Sequence, residues 1–214
     1  MSAETEREKQ AAAEAAAALV ADGMAVGLGT GSTVAYLLPA LAARRLDVRY
    51  VATSLRTDDE ARRLGLRLEP FDTLDRLDLA IDGADQIDSA RWLVKGGGGA
   101  HTREKIVAAA AARFCVIASS DKLVDALGPP VPLELLPYGV RATLRALGSA
   151  ALRDAPPTAD GGVVADYTAA FDDAEALAAR LAAVPGVVEH GLFPGALVTD
   201  VLVGRGGDVD WIRA

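Results

Sequence analysis

The chain has 214 residues, 51% of them apolar, and its 30 acidic and 22 basic side chains leave a formal net charge of -8. That apolar content is enough to fill a core, which excludes a disordered chain, and the acidic balance is the wrong sign for a phosphate backbone, so no nucleic-acid partner is expected. No apolar run reaches the ~18 residues of a membrane span, the charged segment Met1–Gln10 is unlike a signal or transit peptide, and the single cysteine, Cys115, inside the apolar run Phe114–Ile117, reads as a buried thiol in a reducing, cytoplasmic setting.

Thr5-x-x-Glu8 reads as a capping box that opens an Ala-rich helix, which stops near Asp22-Gly23. Met24–Gly29 is a short apolar run, the pattern of a buried parallel strand. Thr30–Thr33 is a turn, and helical spacing resumes over Val34–Arg44 in spite of Pro39. Val48–Thr53 predicts a strand, Thr57–Leu64 a helix ended by Gly65, and Leu66–Leu68 a short strand. Leu77–Ile81 is another strand, running into Asp82-Gly83-Ala84-Asp85. A glycine loop, Gly96–Gly99, leads into a helix over Thr102–Ala112, and Phe114–Ala118 is again a strand. Strands alternating with helices at this spacing predict an α/β fold: a mostly parallel, Rossmann-like sheet flanked by helices.

Four prolines between Pro129 and Pro137 change the texture and predict a rigid connection between domains. Tyr138–Leu147 and Ala174–Val184 then read as helices, Gly162–Tyr167 and Val187–Glu189 as strands. This βαβ-like segment predicts a smaller α+β lid domain over residues 130–195. The run Ala196–Val203 can return to the first sheet, so residues 1–129 and 196–214 are assigned to the main, catalytic domain.

Three loops that leave strand ends are built from glycine, small hydroxyls and carboxylates, and open α/β sheets bind ligands at such ends. In Gly27–Thr33, glycines let backbone N–H groups approach a ligand oxygen, the following helix start favours an anion, and Ser32 and Thr33 add hydroxyls. That pattern suits a phosphate or sugar cradle; a tight turn without ligand is the alternative. A dinucleotide fingerprint fails, because the third glycine is absent and no acid follows the strand near Thr53-Ser54. Asp82 and Asp85, three residues apart after a strand, can bind sugar hydroxyls, act as acid or base, or hold a divalent metal; a solvated turn is the plain alternative. Only two histidines are present and neither lies in a ligand-spaced cluster, which makes a metal the less attractive reading; with neither a dinucleotide fingerprint nor a Walker loop present, no cofactor is expected. In Lys95–Lys105, four consecutive glycines are costly in chain entropy and suit a backbone that must approach something closely. Glu104 then falls in the first turn of a helix, either as a favourable charge at the dipole or as a catalytic base. His101 reads as an incidental loop residue.

Lysine usage adds to this. The chain has 18 Arg and four Lys, and Lys95, Lys105 and Lys122 fall within 28 residues of each other. Where Arg serves for most cations, a retained Lys points to a need for a compact ammonium. Lys95 and Lys122, both after strand ends, are the candidates.

Taken together, Gly29-Thr30-Gly31-Ser32-Thr33, Asp82-Gly83-Ala84-Asp85, Lys95-Gly96-Gly97-Gly98, Thr102-Arg103-Glu104-Lys105, Ser120-Asp121-Lys122, Pro132-Leu133-Glu134 and Gly191-Leu192-Phe193 resemble, in order and spacing, the type A ribose-5-phosphate isomerases. The resemblance implies Glu104 as general base, Asp82 and Asp85 as acids that contact sugar hydroxyls and help open the ring, and Lys95 and Lys122 as binding lysines. For an enediolate intermediate, donors aimed at the developing oxyanion lower the barrier, and Lys95 and the Gly96–Gly98 amides are the candidates. The resemblance also implies a substrate cradle of Thr30, Gly31, Ser32, Thr33, Asp82, Gly83, Ala84, Asp85, Lys95, Gly96, Gly97 and Gly98, a metal-free reaction on a small sugar phosphate, and a homodimer or tetramer. Two places depart from the family pattern: Gln86, where Glu is frequent, and Thr158-Ala159-Asp160-Gly161-Gly162 in place of Thr-Asp-x-Gly-Asn. The rivals are a sugar-phosphate deaminase or lactonase, an acyl-CoA transferase using the carboxylate as nucleophile, and a non-enzymatic sugar-phosphate sensor.

Overall fold

Ser2, not Thr5, caps the first helix: its side chain accepts the Thr5 N–H at 3.1 Å. In the computed structural model, which describes residues 2–213, the elements run in chain order as α1 (Ala3–Ala17), β1 (Ala25–Leu28), α2 (Val34–Arg44), β2 (Arg49–Ala52), α3 (Leu55–Arg63), β3 (Leu79–Asp82), β4 (Gln86–Ile87), β5 (Leu93–Val94), α4 (His101–Ala110) and β6 (Phe114–Ser119). There follow β7 (Val131–Leu135), α5 (Val140–Leu147), β8 (Ala150–Leu152), β9 (Val163–Tyr167), α6 (Ala174–Ala182), β10 (Val187–His190), β11 (Leu192–Phe193), β12 (Asp200–Arg205) and β13 (Asp208–Arg213). The segment Leu66–Leu68 forms no strand; it makes a single parallel bridge, Leu68 to Tyr50.

The first of two units comprises residues 1–84, 103–122 and 196–214. Its six-stranded sheet has the order β13-β12-β6-β3-β1-β2 and is parallel except for the terminal β13. The mostly parallel α/β sheet expected from the alternation is therefore borne out. Alternate residues face opposite sides of a strand, and β1 shows the consequence. Val26 and Leu28 pack with Ala12, Ala16, Leu37 and Leu41 of α1 and α2. Gly27 between them faces the other way, where a side chain would meet Val107 of α4. Helices thus cover both faces. Ala196–Val203 does return to this sheet, as β12 beside β6, and the turn at Gly206-Gly207 adds β13.

The second unit comprises residues 85–102 and 123–195. It holds a four-stranded sheet, β10-β7-β9-β8, and a three-stranded one, β11-β5-β4. Both are antiparallel, so the βαβ-like reading of this segment is corrected to an antiparallel α+β arrangement. The proline-rich segment is not a connection: Val131–Leu135 is the internal strand β7, with Pro132 inside it. Proline is tolerated there because Gly191, opposite it, donates its N–H to Pro132 O at 2.7 Å while its own carbonyl accepts the Lys95 N–H, so no acceptor is left waiting for the missing N–H. Residues 85–102 and 123–129 group with this unit, since β4 and β5 pair with β11 and both Val94 and Leu127 join its apolar core.

Candidate active site

In the first unit, the β1–α2 loop is tied to the end of β3. Asp82 Oδ1 accepts the N–H of Thr30 at 3.1 Å and of Gly83 at 2.7 Å. The approach requires glycine at 29, where a Cβ would overlap the Asp82 carboxylate. Thr30 is spent on structure: its hydroxyl donates to Ser54 Oγ at 2.7 Å and lies 3.0 Å from Thr53 Oγ1, while Thr57 donates to Gly29 O at 2.9 Å. The amides of Gly31, Ser32 and Thr33 donate to no acceptor among the described residues. Thr33 is the N-terminal flanking residue of α2, without a side-chain cap bond. Three such N–H groups at the head of an 11-residue helix form a ready site for an anion. Gly83 and Ala84 are half-buried beside Asp82.

Glu104 sits in the first turn of α4 and is 5% exposed. Lys122 ends the 3-10 turn Ser120–Lys122 that follows β6, with Nζ 3.8 Å from Asp121. That turn is held by Glu8 of α1, which accepts Ser120 N at 3.0 Å, the Ser120 hydroxyl at 2.9 Å and Gly206 N at 3.2 Å. Glu8 is thus an anchor in the fold, not the capping-box acid. Burial pushes its carboxyl upward, but these hydrogen bonds outweigh burial and hold it below the ordinary carboxylate range. The residue after it, Lys9, is 2% exposed, with Nζ 2.8 Å from Glu6. Sequence reasoning passed over Lys9, although the scarcity of lysine that singled out Lys95 and Lys122 applies to it equally.

In the second unit, Asp85 Oδ2 accepts the N–H of Gly97 at 2.9 Å, so this acid is a brace for the glycine loop. Lys95 is 3% exposed, its N–H donates to Gly191 O at 2.8 Å, and its ammonium lies 5.5 Å from the Phe193 ring centre. Gly96 has φ +107°, and a Cβ there would meet His101 Nδ1 at 2.6 Å and Pro132 Cβ at 2.8 Å. His101 is no loop residue: it is fully buried, opens α4 and packs under Gly96. Gly97 and Gly98 are exposed. Gln86 clasps one residue through its two flanking peptides, donating to Gly128 O at 3.1 Å and accepting the Gly128 N–H at 2.8 Å. Only an amide does both, which accounts for Gln over Glu here. In the altered segment, Thr158 donates to buried Glu134 at 2.6 Å, and Thr102 donates to the same carboxylate. Gly162 leaves room for it.

Among the described residues, no group of three or more His, Cys, Asp or Glu side chains converges in a way that could hold a metal ion, and no helix is long and apolar enough to cross a membrane.

Residues 49–207 match the family model described as ribose 5-phosphate isomerase A (phosphoriboisomerase A). The chain belongs to the ribose 5-phosphate isomerase A family. A ribose-5-phosphate isomerase A from Rhodopseudomonas palustris (strain HaA2) is 46% identical over 219 residues, covering 93% of this chain and 94% of the relative. Among solved structures, ribose 5-phosphate isomerase A from Methanocaldococcus jannaschii superposes with a TM-score of 0.91 at 36% identity, covering 96% of this chain and 98% of that one. A D-ribose-5-phosphate isomerase in complex with phospho-erythronic acid gives a TM-score of 0.92 at 32% identity, with both chains covered in full (100% and 100%). Membership in the ribose 5-phosphate isomerase A family therefore spans both units.

Proposed function

We propose that this protein interconverts D-ribose 5-phosphate and D-ribulose 5-phosphate through an enediolate. The observation that carries the reading is a buried carboxylate, Glu104, directly after a four-glycine loop in a chain of this family. Glu104 takes the proton from C2 of the open-chain aldose and returns it to C1. The C2–H bond breaks, a C1–H bond forms, O1 gains a proton and O2 loses one. The negative charge that develops on oxygen is met by the Lys95 ammonium and the Gly96 and Gly98 amides, the Gly97 amide being held by Asp85. Asp82 assists opening of the furanose ring at the anomeric hydroxyl. The phosphate is held by the Gly31, Ser32 and Thr33 amides, with Lys122 supplying local positive charge that a chain of net charge -8 does not provide globally.

The same reading includes a homodimer or tetramer, a metal-independent reaction and a cytoplasmic setting. The deciding experiment mixes purified protein with ribose 5-phosphate after exhaustive chelation and follows ketopentose phosphate. Turnover unaffected by chelator is expected. No turnover, or turnover restored only by one divalent ion, refutes the reading. Unphosphorylated ribose is the control, and its kcat/KM should collapse because the remote phosphate positions the reacting carbon.

A further inference from the structure

Arg153, just after β8, donates from Nη1 to two carbonyl oxygens of the glycine loop, Gly96 O at 3.1 Å and Gly97 O at 2.9 Å. The opposite edge of its guanidinium closes on Asp166 of β9, with Nε 3.0 Å from Oδ2 and Nη2 on Oδ1. Its own backbone N–H donates to Val164 O at 2.8 Å. A planar guanidinium gripped by a carboxylate through two N–H groups keeps little freedom, so the two carbonyls it receives are held in a set direction.

The direction of a carbonyl decides that of the amide across the same peptide, because C=O and N–H point opposite ways in a trans peptide. The one cis bond among the described residues is Pro129-Pro130, so the loop peptides are trans. The Gly96–Gly97 peptide is therefore stretched between Arg153 at its oxygen and Asp85 at its nitrogen. The Gly97–Gly98 peptide also turns its oxygen to Arg153, which turns the Gly98 N–H away from the guanidinium. That N–H donates to no acceptor among the described residues. Gly98 is exposed, and a Cβ there would meet nothing within 4 Å. A cation on the peptide oxygen also polarises the peptide and strengthens its N–H as a donor.

We propose that Arg153 is a positioning residue that aims the Gly97–Gly98 peptide, making the Gly98 N–H a preformed donor to the oxygen that gains charge in the enediolate. This rests on the isomerase reading above. Arg153 acts through the peptide and touches no substrate. A donor aimed at developing charge favours the transition state over bound substrate, so its loss is read in kcat rather than KM.

The test compares R153A and R153K with wild type on ribose 5-phosphate, and measures binding of phospho-erythronic acid, whose carboxylate stands in for the enediolate oxygens, and of inorganic phosphate. On the scale of one lost oxyanion donor, kcat should fall about 10²-fold in R153A. KM should stay within about threefold, as for an interaction made only in the transition state. Phospho-erythronic acid should weaken strongly while inorganic phosphate binds as before. Lysine should not rescue, because one ammonium cannot grip Asp166 at two points and still reach both carbonyls. Wild-type kcat in both variants overturns the proposal, as does equal weakening of phosphate and phospho-erythronic acid. Should R153A fail to fold, R153K carries the same decision. A wild-type enzyme that does not turn over ribose 5-phosphate refutes the isomerase reading itself; normal kcat in the variants of an active enzyme refutes the role of Arg153 alone.

Discussion

Gly29 lies against the carboxylate of Asp82 with no room for a methyl group between them. The contact lets Asp82 Oδ1 collect two backbone N–H groups, Thr30 and Gly83, and so locks the β1–α2 loop to the end of β3. Gly29→Ala must push the carboxylate aside and break those bonds. Overpacking of this kind costs about 1–3 kcal/mol of stability. The proposed role of Asp82 in ring opening predicts that activity suffers more: a fall in kcat/KM of at least about 10²-fold is expected in steady-state assays, the scale for a misplaced catalytic group. A Gly29→Ala enzyme with near-normal kcat/KM would show that the position of Asp82 is unimportant.

Glu104→Gln keeps the shape of the side chain and removes its basicity. Loss of a general base costs about 10²–10⁴-fold in turnover. Binding of substrate should change little, since the loss lies in the transition state. The variant should also stop exchanging the C2 proton of ribose 5-phosphate with deuterated solvent, which NMR reads directly. A folded variant that keeps more than about a tenth of wild-type turnover, outside that range, removes Glu104 from the role.

Glu8 ties α1 to the Ser120–Lys122 turn, so Glu8→Ala leaves three donors without their acceptor, two of them on half-buried Ser120 and one on exposed Gly206. Unfolding in urea at pH 7 should show a loss of roughly 1.5–3 kcal/mol, the scale for hydrogen bonds to a charged group. KM for ribose 5-phosphate should rise as the turn carrying Lys122 loosens. The folded-state carboxyl is held low, so its stabilisation is present above the unfolded pKa and disappears as pH falls through the folded value. The difference between variant and wild type should therefore shrink below about pH 4. A difference independent of pH would mean that the ionised form of Glu8 carries none of the effect.

Cys115 is fully buried in β6, and burial, reinforced by the charge of Asp200 and opposed by Arg113, pushes its thiol up to about 12. A disulfide reagent at pH 8 should titrate no thiol in the native protein and one after unfolding. The raised value also has a sign for stability. The contribution is full below the unfolded pKa of about 8.5 and is lost as pH climbs toward the folded value. Cys115→Ala should flatten that part of the stability profile; an unchanged alkaline slope would assign it to other groups.

Features decided by neighbouring residues were legible in the sequence. Helix α2 has the bounds that its spacing predicts, Val34–Arg44, and the apolar run at β6 is buried along its length, because helix periodicity and apolar runs are local signals. The three loops rich in glycine and carboxylate, and through them the family, were legible for the same reason: their chemistry is written in consecutive residues.

Other features exist only through partners distant in the chain. Strands β4, β5 and β11 are two residues long and have no signal of their own; they are strands because they pair with one another. Composition marks Pro132 as a linker residue, yet it lies inside a sheet opposite Asp166, because the acceptor its missing N–H would have met, Gly191 O, is taken by the Lys95 N–H. Thr30 looks like a ligand-binding hydroxyl and is consumed by Ser54, 24 residues on. Glu8 looks like a cap and instead receives Ser120, 112 residues away. Arg153 carries no motif, and its hold on Gly96 spans 57 residues. A side chain's type states what it can donate or accept; which group it meets is decided only when folding closes those loops and desolvates both partners.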